Sequence, residues 1–165
     1  MDPLSEELVD ETWEGFAGYT DEQAYEEAQV VGKNQPEILA FIMEMTEDLD
    51  QEIRELAIYM FFVIHRMFNN GYGKKIQKVT SEEIITCYED NEKLLESLGG
   101  VHEKFFERIA RVQMSSQPYV IRYIVETLFE ADQEEDPILL GEEDMGYLFL
   151  LMKTVVDVLN KKTDA

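Results

Sequence analysis

The feature that most constrains the fold is a run of nine consecutive apolar residues, positions 56–64, inside a segment with helical signals. A helix that is apolar on every face belongs at the centre of the packing rather than on the surface. The run is less than half of the roughly 20 residues that a membrane-spanning helix requires. A second apolar stretch, positions 147–152, lies near the C-terminus. We therefore expect the two stretches to pack against each other in one core.

Signals for helix starts and ends recur along the whole chain, and little of it alternates with the two-residue period of a strand. Capping-box patterns begin at Thr20 and Thr80, and proline occupies the first helical position at Pro36 and Pro118. The sequence therefore predicts an all-α protein of about seven helices. The predicted helices span about 20–32, 36–47, 50–70, 80–98, 101–114, 117–131 and 144–162.

The chain also matches itself when it is shifted by 82 positions. Residues 20–52 align without a gap to residues 102–134, with 9 identities in 33 positions, and both copies contain a Gln-Pro pair. The match favours two pseudo-repeated three-helix units, 20–70 and 101–165, that share one core. The alternative is that two amphipathic helices with Gln-Pro starts resemble each other by helix chemistry alone.

The remaining segments complete a single domain over residues 1–165. Residues 1–19 are predicted to form an N-terminal arm, part of it helical, in which Trp13, Phe16 and Tyr19 dock one face onto the body. Residues 71–100 are predicted to form a basic loop and an intervening helix. We expect HEAT-like or bundle-like stacking of the helices.

Residues 47–57 resemble the turn and the second-helix start of a HEAT-type repeat. Asp50, the pair Ile53-Arg54 and Ala57 match the repeat pattern, and the resemblance covers about residues 36–68. It implies stacked helices, a turn acid that caps a helix and pairs with an arginine, and a scaffold that binds other proteins. The second copy departs from the pattern, because the segment that begins at Asp132 has no Ile-Arg pair and no matching alanine.

Residues that commonly bind metals or carry catalysis form no complete pattern. Neither histidine has the Glu-x-x-His spacing of a di-iron bundle, and we expect His65 to be a hydrogen-bonded core or rim residue. The acidic connector outlines a calcium loop with Asp132, Glu134, Asp136 and Glu143. However, Pro137 stands where that loop needs a glycine with positive φ. We expect no cofactor, no metal and no enzymatic activity.

Charge is unevenly distributed, with 36 acidic and 14 basic residues and a net charge of −22. Such a surface repels nucleic-acid backbones and anionic lipids, so we expect no direct contact with either. The acidic start of the chain is unlike a secretory signal, which is basic and then apolar. We therefore expect a cytoplasmic location.

Residues 56–81 contain no acid but four cations, Arg66, Lys74, Lys75 and Lys78. One interpretation is that these cations pair with acidic helices of the same chain. The other is that the loop over residues 71–78, together with Tyr72, contacts an acidic partner or an anion.

The leading hypothesis for function is a protein–protein interaction module that binds another protein with a basic surface. An acidic nucleic-acid mimic that inhibits a basic protein is the alternative, and a small-ligand or metal-dependent enzyme is a third. The sequence is compatible with a monomer or a homodimer.

Overall fold

The computed structural model describes residues 2–97, 116–131 and 140–163. These residues form seven α-helices and one short 3₁₀-helix, with no strand among them, which confirms the all-α class. In chain order the helices are α1 (Glu6–Ala17), α2 (Asp21–Asn34), α3 (Pro36–Met45), α4 (Gln51–Tyr72), the 3₁₀-helix Gly73–Lys75, α5 (Ser81–Ser97), α6 (Pro118–Glu130) and α7 (Glu142–Lys162). The helix predicted over 101–114 lies outside the described residues.

Local hydrogen bonds fix the starts of α2 and α5, as the sequence predicts. The Thr20 hydroxyl accepts from the backbone N–H of Gln23, and the Gln23 side chain accepts from the backbone N–H of Thr20. Thr80 and Glu83 exchange the same two bonds at 3.2 and 3.0 Å. Each box satisfies two N–H groups that have no partner within the helix.

The two apolar helices, α4 and α7, pack against each other, and their buried residues belong to one continuous core. Helix α1 packs on α4, and α5 packs on α7. The largest fully buried side chains include Phe61, Phe68 and Phe149. The two helices that carry the apolar stretches are therefore in contact, as predicted, because each stretch needs apolar neighbours on several faces.

The N-terminal arm docks through α1, but Trp13 contributes less than the sequence predicts. Val9, Thr12 and Phe16 are buried, and the Phe16 ring stacks on Tyr19 with centroids 4.5 Å apart. Trp13 is 38% exposed, and its indole N–H donates to Asp10 at 3.3 Å. The indole lies at the edge of the buried stripe, where its N–H keeps a polar partner.

Two buried glutamines, Gln35 and Gln117, have matching roles at the starts of α3 and α6. Their φ/ψ angles are −137°/64° and −127°/68°, and each side chain is 1% exposed. The Gln35 side-chain oxygen accepts from the backbone N–H of Val79, and that of Gln117 accepts from Leu4, both at 2.9 Å. Each donor lies directly before the N-cap residue of another helix: Val79 before α5, and Leu4 before α1. The duplication itself stays a prediction.

Two helical glycines differ in the space around them, so replacing each by alanine is expected to have opposite effects on stability. A Cβ at Gly71 would overlap the side chain of buried Leu4, whereas a Cβ at Gly146 meets nothing within 4 Å. Overpacking costs about 1–3 kcal/mol, and replacing a helical glycine by alanine gains about 1 kcal/mol. We therefore expect Gly146→Ala to raise the free energy of unfolding by about 1 kcal/mol and Gly71→Ala to lower it by a similar amount. Urea unfolding measures both, and stabilisation by Gly71→Ala would contradict the contact with Leu4.

Candidate functional site

The basic residues singled out in the sequence do not all reach the same surface. Lys74, Lys75 and Lys78 are exposed in the segment that follows α4, and none of them forms an ion pair with a described residue. Arg66 instead donates two hydrogen bonds, at 3.0 and 2.7 Å, to the carboxylate of Glu27, which is 5% exposed. The structure thus places Arg66 in an internal ion pair.

Tyr72 is likewise used within the chain. Its hydroxyl donates to the backbone carbonyl of Asp2 at 2.8 Å and accepts from the side-chain amide of Gln117 at 2.7 Å. These bonds join the N-terminal segment, the end of α4 and the start of α6. Arg66 thus pairs with an acidic helix of the same chain, as one of the two interpretations has it, and Tyr72 bonds within the chain, while a contact of either with a partner stays a prediction.

Lys74 and Lys78 line a cavity of about 420 Å³ at the C-terminal end of α4, which we call the basic cavity. Its other lining residues are the amides Asn34, Gln35 and Asn69, the imidazole of His65, and Gly73 and Ile76. No carboxylate is among the described residues that line it. Lys75 lies on the same 3₁₀-helix but outside the cavity.

His65 is a buried polar group in the lining of the basic cavity. Its side chain is 1% exposed, and its Nδ1 has no hydrogen-bond partner. Burial, helped by the neighbouring charge of Arg66, lowers the pKa of His65 to about 4, so the imidazole is neutral near pH 7. The sequence correctly places His65 in the core, but the hydrogen bond expected for it is missing at Nδ1.

A second concave surface, which we call the α3–α5 groove, has the opposite charge. It encloses about 460 Å³, and apolar side chains from both helices line it, namely Ala40, Phe41, Met45, Ile84, Ile85 and Tyr88. Four glutamates also line it, namely Glu37, Glu44, Glu89 and Glu92. Lys and Arg are missing from its described lining. Ile85 is 50% exposed, so part of the apolar lining is open to solvent.

Two aromatic side chains that line the α3–α5 groove pack against each other. The rings of Phe41 and Tyr88 meet edge to face, with centroids 5.7 Å apart. Burial, with smaller contributions from Tyr147 and Glu92, raises the pKa of Tyr88 to about 12. The phenol is therefore neutral at physiological pH, and the negative charge of the groove comes from the glutamates.

Of the four candidate calcium ligands, one lies within the described residues. Asp132, Glu134 and Asp136 lie outside the described ranges, and Glu143 is exposed in the first turn of α7. Among the residues that are described, no group of three or more His, Cys, Asp or Glu side chains could hold a metal ion.

The turn between α3 and α4, where the sequence resembles a HEAT-type repeat, is held by Arg54. The guanidinium donates to the backbone carbonyl of Met43 at 3.1 Å and to the Thr46 hydroxyl at 3.3 Å. Asp50 occupies the N-cap position of α4, but its side chain makes no capping hydrogen bond. The arginine therefore stiffens this turn through helix α3 rather than through the acid that the resemblance implies.

Comparisons with known proteins identify no relative of this chain. No protein-family model matches it, and neither the curated proteins nor the solved structures contain a match. Within the described segments, none of the helices combines the length and the apolar character needed to cross a membrane.

Proposed function

We propose that this protein is an interaction module that binds a basic amphipathic segment of another protein in the α3–α5 groove. The observation that carries the proposal is an open apolar lining accompanied by four glutamates. An amphipathic helix with apolar residues on one face and lysines or arginines beside them matches both features. A cytoplasmic location and a monomeric or homodimeric state stay predictions from the sequence.

The groove favours a peptide ligand over a role as a nucleic-acid mimic. A mimic presents carboxylates in place of phosphates, and its binding relies on charge that salt screens. The exposed face of Ile85 and the partly buried rings of Phe41 and Tyr88 instead offer apolar area, whose burial is far less sensitive to salt. Charge along the groove would then set the orientation and the rate of association.

A patterned peptide tests the proposal directly. The probe is a fluorescent leucine–lysine peptide of about 18 residues with its leucines on one helical face. The control is a peptide of the same composition in scrambled order. We expect the patterned peptide to bind with a micromolar Kd, and the scrambled peptide to bind about tenfold more weakly or worse, in anisotropy titrations at about 150 mM NaCl.

Matched charge reversals then locate the site. The double substitution Glu44→Lys/Glu89→Lys adds positive charge in the groove, and we expect it to weaken binding of the patterned peptide about tenfold or more. Glu22→Lys/Glu26→Lys makes the same change in net charge on exposed positions of α2, away from the groove, and should change the Kd by about twofold at most. Equal binding of both peptides, or equal losses in both double variants, would contradict the groove and favour a general acidic surface.

A further inference from the structure

The basic cavity is independent of the α3–α5 groove and has a different chemistry. In a chain of net charge −22, two lysines without ion pairs to described residues converge on a concave surface that no described carboxylate lines. Several other cations of the described chain are paired, as in Arg66–Glu27, Lys153–Asp157 and Lys162–Glu83. The positive charge at Lys74 and Lys78 is therefore not used to balance a neighbouring helix.

A buried group in the same cavity lacks a partner. Polar atoms that are fully buried almost always have a hydrogen-bond partner, and an exception needs a physical explanation. His65 lines the cavity, is 1% exposed, and leaves Nδ1 without a partner. A ligand oxygen, or a water that it orders, would satisfy this atom.

Hydrogen bonds hold the backbone of the segment that carries the two lysines at three points, Gly73, Gln77 and Val79. The Gln35 side-chain amide donates to the carbonyl of Gln77 at 2.9 Å, while its oxygen accepts from the N–H of Val79. The N–H of Gln77 donates to the carbonyl of Lys162 at 3.1 Å. Gly73, at φ 58°, ends α4 and donates its N–H to the Asn69 carbonyl. Because hydrogen bonds within the chain already fix this backbone, its ordering adds little to the entropic cost of binding.

We propose that the basic cavity binds a phosphate dianion, either free orthophosphate or the phosphate group of a small monoester. Lys74 and Lys78 supply the charge, the amides of Asn34 and Asn69 supply neutral donors, and His65 contacts the ligand at the buried end. Helices α2 and α4 both end here, so their carbonyl ends place partial negative charge nearby and binding depends on the two lysines. A volume of about 420 Å³ leaves room for a small organic group beside the phosphate.

Calorimetric titrations with two probes, inorganic phosphate and ribose 5-phosphate, test the site. At about 150 mM NaCl we expect saturable one-site binding with a Kd below about 1 mM for one probe or both, and the tighter probe identifies the source of the phosphate. We expect Lys74→Ala and Lys78→Ala each to weaken binding about tenfold. Lys75→Ala removes the same charge from outside the cavity and should alter the Kd by about twofold at most.

Nuclear magnetic resonance of the histidine rings supplies a readout that does not depend on charge alone. In the His102→Gln variant only His65 remains, and phosphate should shift its ring ¹⁵N signals while Lys74→Ala abolishes the shift. The absence of saturable binding by either probe to the folded protein would overturn the proposal. So would equal weakening by Lys75→Ala, because general electrostatic attraction would then explain the binding.

Discussion

Asp157→Ala is expected to lower the free energy of unfolding by about 3–5 kcal/mol, because it leaves a buried ammonium group without its counter-ion. Lys153 has a side chain only 8% exposed, and its Nζ donates to Asp157 at 2.7 Å and to the side-chain oxygen of Asn91 at 2.8 Å. Asn91 in turn donates to Asp157 at 3.1 Å and to the Thr154 hydroxyl at 3.2 Å. This network joins α5 to α7, so its loss weakens that helix pair.

The cost depends on which partner is removed. Asp157 is 22% exposed on its side chain, so water can solvate its carboxylate after Lys153→Met, whereas Lys153 has no such access after Asp157→Ala. We therefore expect Lys153→Met to cost less than Asp157→Ala, and the double variant to recover part of the loss. In thermal unfolding, Asp157→Ala should lower the Tm on the order of 10 °C.

A surface pair provides the control for this comparison. Glu126 is 61% exposed and lies 3.8 Å from Arg122, so Glu126→Gln should change the free energy of unfolding by less than about 0.5 kcal/mol. Losses below about 1 kcal/mol for Asp157→Ala, or a larger loss for Lys153→Met, would show that the ammonium group reaches water in the native state.

Short-range features of this fold were predictable from the sequence, because their energetics involve residues a few positions apart. The capping boxes at Thr20 and Thr80 depend on hydrogen bonds across three residues, and both are present. The central position of α4 and α7 follows from the apolar stretches that they carry, 56–64 and 147–152, because neither stretch has a polar face.

The roles of individual polar residues were less predictable, since their partners are distant in sequence. Arg66 and Glu27 are 39 positions apart, and Tyr72 binds Gln117 from 45 positions away. Local charge counts cannot identify such pairs, so the sequence left open whether Arg66 pairs within the chain or contacts a partner. The segment over residues 71–78 was identified as basic, but the cavity exists only because Asn34, Gln35 and His65 close its other walls.

The α3–α5 groove was missed for a related reason. Its two helices are separated in sequence by the whole of α4, and only the tertiary packing of α3 on α5 brings Tyr88 next to Phe41. The sequence feature that could have indicated the groove is the pair Ile84-Ile85 near the start of an acidic helix. Ile84 is 1% exposed and Ile85 is 50% exposed, so one of two adjacent apolar residues had no place in the core.

His65 is expected to make the stability of this protein depend on pH. The pKa of its imidazole is lowered to about 4 in the folded state by burial and by Arg66, against 6.5 for an unperturbed histidine. The unfolded chain therefore binds a proton first as the pH falls. The stabilising contribution is fully present above about pH 6.5 and is lost progressively towards pH 4, at about 1.4 kcal/mol per pH unit.

Between about pH 7 and pH 5 this single group should remove about 2 kcal/mol from the free energy of unfolding. The many carboxylates and His102 also titrate in the acid range, so the measurement compares the native protein with His65→Leu, which keeps those groups and removes only the buried imidazole. Urea unfolding at the two pH values should show a loss about 2 kcal/mol smaller in the variant. Equal losses in the two proteins would mean that His65 accepts a proton in the folded state as easily as in the unfolded chain. In that case the imidazole would reach solvent through the basic cavity, and its unpaired Nδ1 would be a hydrated group rather than a buried one.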